Sequence, residues 1–358
     1  MFIRLTVILA AITLVPSLSF SQLRPDSFQK YDSTENYIRD SLALRQKLVP
    51  VIDIGTGKLP LKIFIIGDSF IASGEFAGYF AKEIAGALGR GGDALLTIHK
   101  KFPSRLTAQK HAVKSQGHSV SGFQLLTGAS AEAITVFPID GTDARIRIDS
   151  SGPGGIFVSF SKPLSGFYIA TSENVPEIAV AGIILRYAGR GVVTSYFGSE
   201  SASIRTYNNQ MGHIFKLLAS YLPDVLVINL GVNDCAGPNF NKNYADAELK
   251  YFLKNIRNAI PQAALLFISP PGFHMKRKEG FVTSPGVNIF RDRLDLLAAK
   301  EGFAWWDMKA VMGGENSMAE WVKAGLAISD HIHLSTHGMS LIAKLLSGAI
   351  IDLYRKDD

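Results

Sequence analysis

The sequence predicts a three-layer α/β domain with a parallel sheet, interrupted by a β-rich insertion. In two parts of the chain, apolar runs alternate with amphipathic helical patterns, as in an open parallel sheet between helical layers. The stretch between these parts has short β-prone pieces separated by Gly, Pro, Ser and Asp. The 358 residues, 47% of them hydrophobic, are enough for one large domain and a smaller second unit.

The individual elements follow from the spacing of apolar residues. A buried strand over residues 61–66 ends at Gly67-Asp68-Ser69 and is followed by apolar residues at helical spacing from Phe76 to Leu88. Later strands are predicted at 192–197, 225–230, 263–268 and 303–306, and later helices at 245–260, 287–300 and 337–354. The β-prone pieces of the insertion are 134–137, 144–148, 155–160, 166–169 and 178–187.

These patterns divide the chain into five segments. Residues 1–21 are predicted to be a signal peptide and 22–57 a leader, weakly helical over 35–48, that packs on the main domain. Residues 58–115 and 191–358 form the two parts of the α/β domain, and 116–190 form the insertion.

The N-terminus predicts export to the periplasm or beyond the cell. Arg4 precedes an apolar stretch from Leu5 to Val15, and small residues follow at Ser19 and Ser21, which is the pattern of a secretory signal peptide. The apolar stretch is short for a membrane span, so no stable membrane insertion is expected after cleavage, although a retained anchor is an alternative. The single cysteine excludes an intramolecular disulfide.

The charge of the chain is mildly basic. A net charge of +6 and a pI near 9.2 come without a dense basic run, which argues against a nucleic-acid partner. Attraction to an anionic wall or membrane surface and an ordinary solvated surface are both compatible with this charge.

Ser69 is the first candidate for covalent chemistry. It lies where a buried strand gives way to a helix, at the sheet edge where open α/β proteins bind ligands, and the helix N-terminus can stabilise an oxyanion. A helix-capping turn is the simpler explanation of Gly-Asp-Ser taken alone. A serine nucleophile also requires a histidine oriented by a carboxylate, and Asp330 and His333 supply that pair just before the last helix.

Other residues near these motifs have competing explanations. His331 is a rival base, and a metal site formed by His331, His333 and His337 is an alternative that lacks further Cys or acidic ligands. Asn233, in the Gly-Val-Asn-Asp segment after residues 225–230, and the backbone N–H of Gly198 are candidate oxyanion donors beside the amide of Ser69, or else ordinary turn residues.

Trp305 and Trp306 form either a sugar platform or part of the core.

Taken together, these segments resemble the SGNH (GDSL-type) hydrolase family in their order and in their positions at strand ends. Gly67-Asp68-Ser69 is similar to its first block, Gly198 to its second, the segment containing Asn233 to its third, and Asp330 with His333 to its fifth. The resemblance implies Ser69 as nucleophile, Asp330 and His333 as the rest of the triad, Gly198 and Asn233 in the oxyanion hole, and no metal or organic cofactor.

A narrower resemblance points to a substrate class. The segments at 67–76, 306–314 and 330–335 resemble exported bacterial peptidoglycan O-acetylesterases that carry an insertion similar to a carbohydrate-binding module. This implies an O-acetylated polysaccharide substrate and favours peptidoglycan. The β-rich character of the insertion in an exported hydrolase-like chain predicts that the insertion engages the polymer; a rigid wall of the active site and a dimer contact are the alternatives. An acetylxylan-type esterase, a polysaccharide O-acetyltransferase and a non-catalytic carbohydrate-binding protein are the alternatives; the oligomeric state is not predicted.

Overall fold

The structure, a computed structural model, describes residues 31–52, 60–115, 117–152, 154–189, 191–237, 240–278 and 280–355. The predicted signal peptide and parts of the leader, residues 22–30 and 53–57, lie outside these residues. Within the described ranges, no helix is both long enough and apolar enough to cross a bilayer.

The first part of the α/β domain begins at the edge of the main sheet. Its elements are β1 (Ile38–Arg39), α1 (Leu42–Ile52), β2 (Leu61–Gly67), α2 (Ser69–Ala72) and α3 (Glu75–Leu88). The predicted leader helix over 35–48 is therefore wrong at its start, because Ile38 and Arg39 pair antiparallel with Trp306 and Trp305. This long-range pairing outweighs a weak local helical pattern.

The insertion is an antiparallel β-unit whose strands run from Gly92 to Tyr187. Its strands are β3 (Gly92–Leu96), β4 (Arg105–Thr107), β5 (His111–Lys114), β6 (Val120–Leu126), β7 (Ile134–Pro138), β8 (Ile146–Gly152), β9 (Gly155–Leu164), β10 (Gly166–Thr171), β11 (Glu177–Ala179) and β12 (Gly182–Tyr187).

The strands of the insertion form a five-stranded sheet in the order β3-β12-β6-β9-β8, a three-stranded sheet in the order β5-β10-β7, and the pair β11-β4. Phe123 of β6 stacks on Phe167 of β10 at 4.7 Å between ring centroids, so the two larger sheets share an apolar core.

The two ends of the insertion meet at one point. The backbone N–H of Gly91 donates to the Val192 carbonyl, and that of Val192 donates to the Gly89 carbonyl, both at 3.0 Å. At Gly191, φ is +140° and a Cβ would lie 2.2 Å from the Gly89 oxygen, so only glycine fits. The insertion therefore replaces a loop between α3 and the next strand of the main sheet without separating them.

The second part of the chain supplies most of the main domain. Its strands are β13 (Val192–Gly198), β14 (Val225–Asn229), β15 (Ala264–Ile268), β16 (His274–Arg277), β17 (Gly280–Thr283) and β18 (Ala304–Trp306). Its helices are α4 (Ile204–Gln210), α5 (Gly212–Tyr221), α6 (Val232–Cys235), α7 (Lys242–Ala259), α8 (Pro285–Glu301), α9 (Met308–Val311), α10 (Ser317–Lys323) and α11 (Thr336–Arg355).

The main sheet has the order β1-β18-β15-β14-β2-β13 and is parallel except for β1. Every residue of β14 and β15 is buried, as expected for central parallel strands covered on both faces. Helices α3 and α11 pack together, and α7 packs against α4, α5 and α8, which gives the other helical layer. The predicted three-layer fold with a β-rich insertion is confirmed.

Candidate active site

Three neighbouring strands bring the candidate residues to one edge of the sheet. Gly67 at the end of β2 lies in register with Asn229 of β14 on one side and with Gly198 of β13 on the other. Ser69 follows the end of β2 and Asn233 follows the end of β14. A loop follows Gly198 at the end of β13. This edge is the usual ligand-binding edge of a parallel α/β sheet.

Ser69 is positioned by a tight turn that requires glycine at its start. A Cβ on Gly67 would lie 2.3 Å from Cγ1 of Ile71 and 2.7 Å from the Asn229 carbonyl oxygen. The Tyr207 hydroxyl donates to the Gly67 carbonyl at 2.8 Å and holds the turn from the other side. Ser69 is the first residue of α2, so its backbone N–H has no acceptor within the helix.

The structure brings Ser69, His333 and Asp330 into one hydrogen-bonded line. Ser69 Oγ lies 3.1 Å from Nε2 of His333, and Nδ1 of the same ring lies 2.7 Å from Oδ2 of Asp330. When Nδ1–H of a neutral His333 donates to the carboxylate, Nε2 is left with the lone pair that accepts the serine proton. The arrangement is therefore that of a nucleophile, a general base and a group that orients the base.

The other oxygen of Asp330 fixes the loop that carries the histidine. Oδ1 accepts the backbone N–H groups of Ile332 at 2.8 Å and His333 at 3.0 Å. Partial burial raises the pKa of Asp330, but hydrogen bonds from the His333 ring and from these two N–H groups outweigh burial and leave the pKa below its usual value. The carboxylate is consequently charged when it faces the histidine.

Asn233 lies in α6, directly after the turn at Gly231, where φ is +123°. Its Nδ2 donates to the Ala202 carbonyl at 2.9 Å. Because a side-chain amide has two N–H groups, this contact orients the amide and leaves one N–H for another acceptor.

Gly198 lies against the backbone of α2. A Cβ there would lie 2.2 Å from the Ala72 nitrogen and 2.5 Å from the Ile71 carbonyl carbon, so close packing alone accounts for glycine at this position. Asn233 is instead connected to the loop that follows Gly198, through Ala202. The role of Gly198 as an oxyanion donor stays a prediction.

The alternative residues have other contacts. The His331 ring stacks with Phe281 and His274, and its Nδ1 lies 3.3 Å from Nδ1 of His274. In the described part of the chain, no three His, Cys, Asp or Glu side chains are placed to hold a metal ion. Trp305 and Trp306 are buried in the core and so do not form a sugar platform.

Comparisons with known proteins agree with this fold. Residues 179–341 match the model of the GDSL-like Lipase/Acylhydrolase family. The chain is a carboxylic ester hydrolase that is similar to this family over the matched residues. The match includes Gly198, Asn233, Asp330 and His333, whereas Ser69 precedes it across the insertion.

Among solved structures, a peptidoglycan O-acetylesterase is similar to this ester hydrolase with a TM-score of 0.63 and 19% identity, over 90% of this chain and 99% of the other. An acetyl xylan esterase (TM-score 0.35, 20% identity, 44% of this chain and 81% of the other) and an acetyl esterase mutant (TM-score 0.40, 11% identity, 83% and 100%) are more distantly similar. No curated protein sequence matches the chain.

Two buried carboxyl groups brace the loops of the candidate active site. Asp68 caps α2 by accepting the Phe70 N–H at 3.0 Å, and Asp234 accepts the Ile204 N–H at the start of α4. Burial raises the pKa of Asp68 to about 7 and that of Asp234 to about 6, while the backbone hydrogen bonds partly oppose these shifts. Both residues act on the shape of the site through backbone contacts.

The raised pKa of Asp68 predicts a pH-dependent stability difference for Asp68→Asn. Because the folded-state pKa lies above the usual 3.8, the stabilisation due to the bound proton is complete below about pH 4 and is lost as the pH rises through about 7. The asparagine side chain retains an acceptor for the Phe70 N–H and does not ionise. The variant should therefore gain stability relative to wild type between pH 4 and 7, by up to about 4 kcal/mol.

Urea unfolding at several pH values measures this difference, with the exposed Asp295→Asn as the control. If the free energies of unfolding of Asp68→Asn and wild type differ by the same amount from pH 4 to 8, the prediction is wrong.

Proposed function

We propose that this hydrolase is an exported serine esterase that removes O-acetyl groups from a polysaccharide, most specifically peptidoglycan. The observation that carries the proposal is the hydrogen-bonded line from Ser69 through His333 to Asp330. The signal-peptide pattern at residues 1–21 supports export.

In the proposed mechanism, Nε2 of His333 takes the proton of Ser69 while Oγ attacks the acetyl carbonyl carbon. The backbone N–H of Ser69, the free side-chain N–H of Asn233 and the backbone N–H of Gly198 stabilise the resulting oxyanion. The protonated His333 then gives its proton to the departing sugar oxygen, which leaves an acetylated Ser69. Water, deprotonated by His333, releases acetate and restores the serine. No step uses a metal or an organic cofactor.

The accessibility of the site favours an ester on a polymer. The side chains of His333 and Asp330 are 41% and 38% exposed, so a long substrate can reach the serine without entering a tunnel. The similar fold of a peptidoglycan O-acetylesterase, which aligns over 90% of this chain and therefore over most of the insertion, supports peptidoglycan as the polymer.

Acetate release from purified O-acetylated peptidoglycan and from acetylated xylan tests the proposed substrate. We expect release from peptidoglycan by wild type and none by Ser69→Ala. Release from xylan alone would reject the wall polymer and retain the esterase chemistry. Transfer of acetyl to an added sugar acceptor, in place of release to water, would identify a transferase.

The insertion is proposed to engage the polymer through a groove beside α3. The groove has a volume of about 620 Å³, and it is lined by Gly74 just before α3, by Gly78 of α3, and by Lys101 and Lys114 of the insertion. Both lysines are exposed. Because unlike charges attract across such a groove, an anionic glycan strand fits it.

We expect the double variant Lys101→Glu/Lys114→Glu to lose about tenfold in kcat/KM on peptidoglycan, and little on a small aryl acetate, at low salt. The matched control is Lys250→Glu/Lys254→Glu on the exposed face of α7. Equal losses on both substrates would favour a scaffold role for the insertion. Substitution is a cleaner test than deleting 116–190, because that deletion removes β12, the partner of β3.

A further inference from the structure

A hairpin outside the predicted elements lies against the loop that carries the proposed triad histidine. It consists of the antiparallel strands β16 and β17. At its base, the His274 N–H donates to the His331 carbonyl at 2.9 Å, and the Ser284 N–H donates to the Phe273 carbonyl at 3.0 Å. The hairpin is thus tied by its backbone to a residue two positions from His333.

Three rings extend this contact. The Phe281 and His331 ring centroids are 3.9 Å apart with planes 14° from parallel, and His274 stacks on His331 at 5.4 Å and 22°. His331 itself has φ +60°, and its backbone N–H donates to the Ile328 carbonyl, so its position is fixed by several contacts. These contacts hold the Phe281 ring in a defined orientation.

Phe281 nevertheless remains open to solvent. One of its faces lies on His331 and the residue is 42% exposed, so a substantial part of the residue outside the histidine contact is open to solvent. An aromatic face held rigidly in water can bind the apolar C–H face of a sugar ring at little cost in conformational entropy. Consecutive Cα atoms are 3.8 Å apart, so the Cα atoms of His331 and His333 are separated by at most about 7 Å. The exposed ring is therefore close to the loop between α10 and α11 that carries Asp330 and His333, which we call the catalytic loop.

A positive charge lies on the same face of the hairpin. Lys276 is the register partner of Phe281 across the two strands, and directly opposed residues project to the same side of an antiparallel pair. Lys276 is exposed. Its ammonium group can bind a carboxylate on a sugar whose ring stacks on Phe281.

We propose that Phe281 and Lys276 form a glycan subsite beside the catalytic loop, specific for a pyranose ring that carries a carboxylate. This inference rests on the proposed function, since it concerns the glycan whose acetyl ester Ser69 attacks. Phe281 supplies the stacking surface, His331 supports the ring from behind, and Lys276 selects the anionic sugar. No covalent step is assigned to these residues.

Val282 offers a matched control for the aromatic ring. It is the next residue in β17 and is 40% exposed, but it projects to the opposite face of the hairpin. Phe281→Ala should lower the ratio of kcat/KM for an O-acetylated, carboxylate-bearing oligosaccharide to kcat/KM for ethyl acetate by about tenfold. Phe281→Trp should keep most of the ratio, and Val282→Ala should not change it.

The lysine is tested in the same assay. Lys276→Gln should lower the ratio several-fold for the carboxylate-bearing oligosaccharide and leave it unaltered for the corresponding neutral sugar, whereas the exposed Lys278→Gln should alter neither. A Phe281→Ala variant that loses activity equally on both esters would overturn the proposal, because the ring would then only support the catalytic loop. The proposal would also be overturned if Val282→Ala lowered the ratio of kcat/KM values as much as Phe281→Ala does.

Binding measured without turnover separates this proposal from the proposed function. Calorimetric titration of Ser69→Ala with a de-O-acetylated, carboxylate-bearing oligosaccharide should detect binding that is weakened about tenfold by adding Phe281→Ala. If the wild-type protein hydrolyses no ester but this binding is detected, the esterase proposal is rejected and the subsite proposal is retained. Binding that is indifferent to Phe281 would reject the subsite, whatever the esterase does.

Discussion

Ser69→Ala should abolish ester hydrolysis while leaving the fold intact. The serine oxygen is the atom that would bond to the acyl carbon, and no other hydroxyl contacts Nε2 of His333 among the described residues. Loss of a triad nucleophile typically costs at least about 10⁴ in kcat. The fold should persist because alanine is a favourable residue in the first turn of a helix and the removed hydroxyl fills little space.

Acetate release from an aryl acetate measures the loss, and thermal unfolding checks the fold. Ser73→Ala is the matched control, because Ser73 follows α2 and its hydroxyl accepts the Glu75 N–H in the next turn, away from His333. We expect nearly wild-type rates for Ser73→Ala. Wild-type rates in purified Ser69→Ala would overturn the proposed mechanism.

The sequence predicted the elements whose identity depends on local patterns. Strands β2, β14 and β15 are apolar runs because both of their faces are buried, and α7 and α11 show apolar residues at helical spacing. The strand-to-helix turn at Gly67 was predictable for the same reason. Since parallel strands end at one edge of the sheet, the order of the segments was sufficient to predict that Ser69 and Asn233 lie near each other.

Other elements depend on contacts that no local pattern contains. Strand β1 has only two residues and exists because Trp305 and Trp306 offer an edge to pair with. Strands β3 to β5 have few buried positions, so they show no clear apolar run. The stack of His274 on His331 joins residues 57 positions apart, so the glycan subsite was not visible in the sequence.

The candidate site likewise has residues that the sequence could predict and a residue whose role it could not. The order of several individually weak segments predicted Ser69, Asp330 and His333 as a triad, and the structure puts them within hydrogen-bonding distance. The residue type alone could not decide the role of Gly198, because close packing on Ile71 and Ala72 also requires glycine.

The two histidines of the catalytic loop should differ sharply when each is replaced by alanine. His333→Ala removes the ring between Ser69 and Asp330, so no base remains in contact with the serine; turnover should fall by at least about 10⁴. His331→Ala removes a ring that contacts Phe281 and His274, so its effect on a small ester should be mild, less than about tenfold. Steady-state hydrolysis of ethyl acetate by both variants, compared at equal folded fraction, measures the difference. A larger loss for His331→Ala would transfer the role of base to His331 and leave Ser69 as the nucleophile.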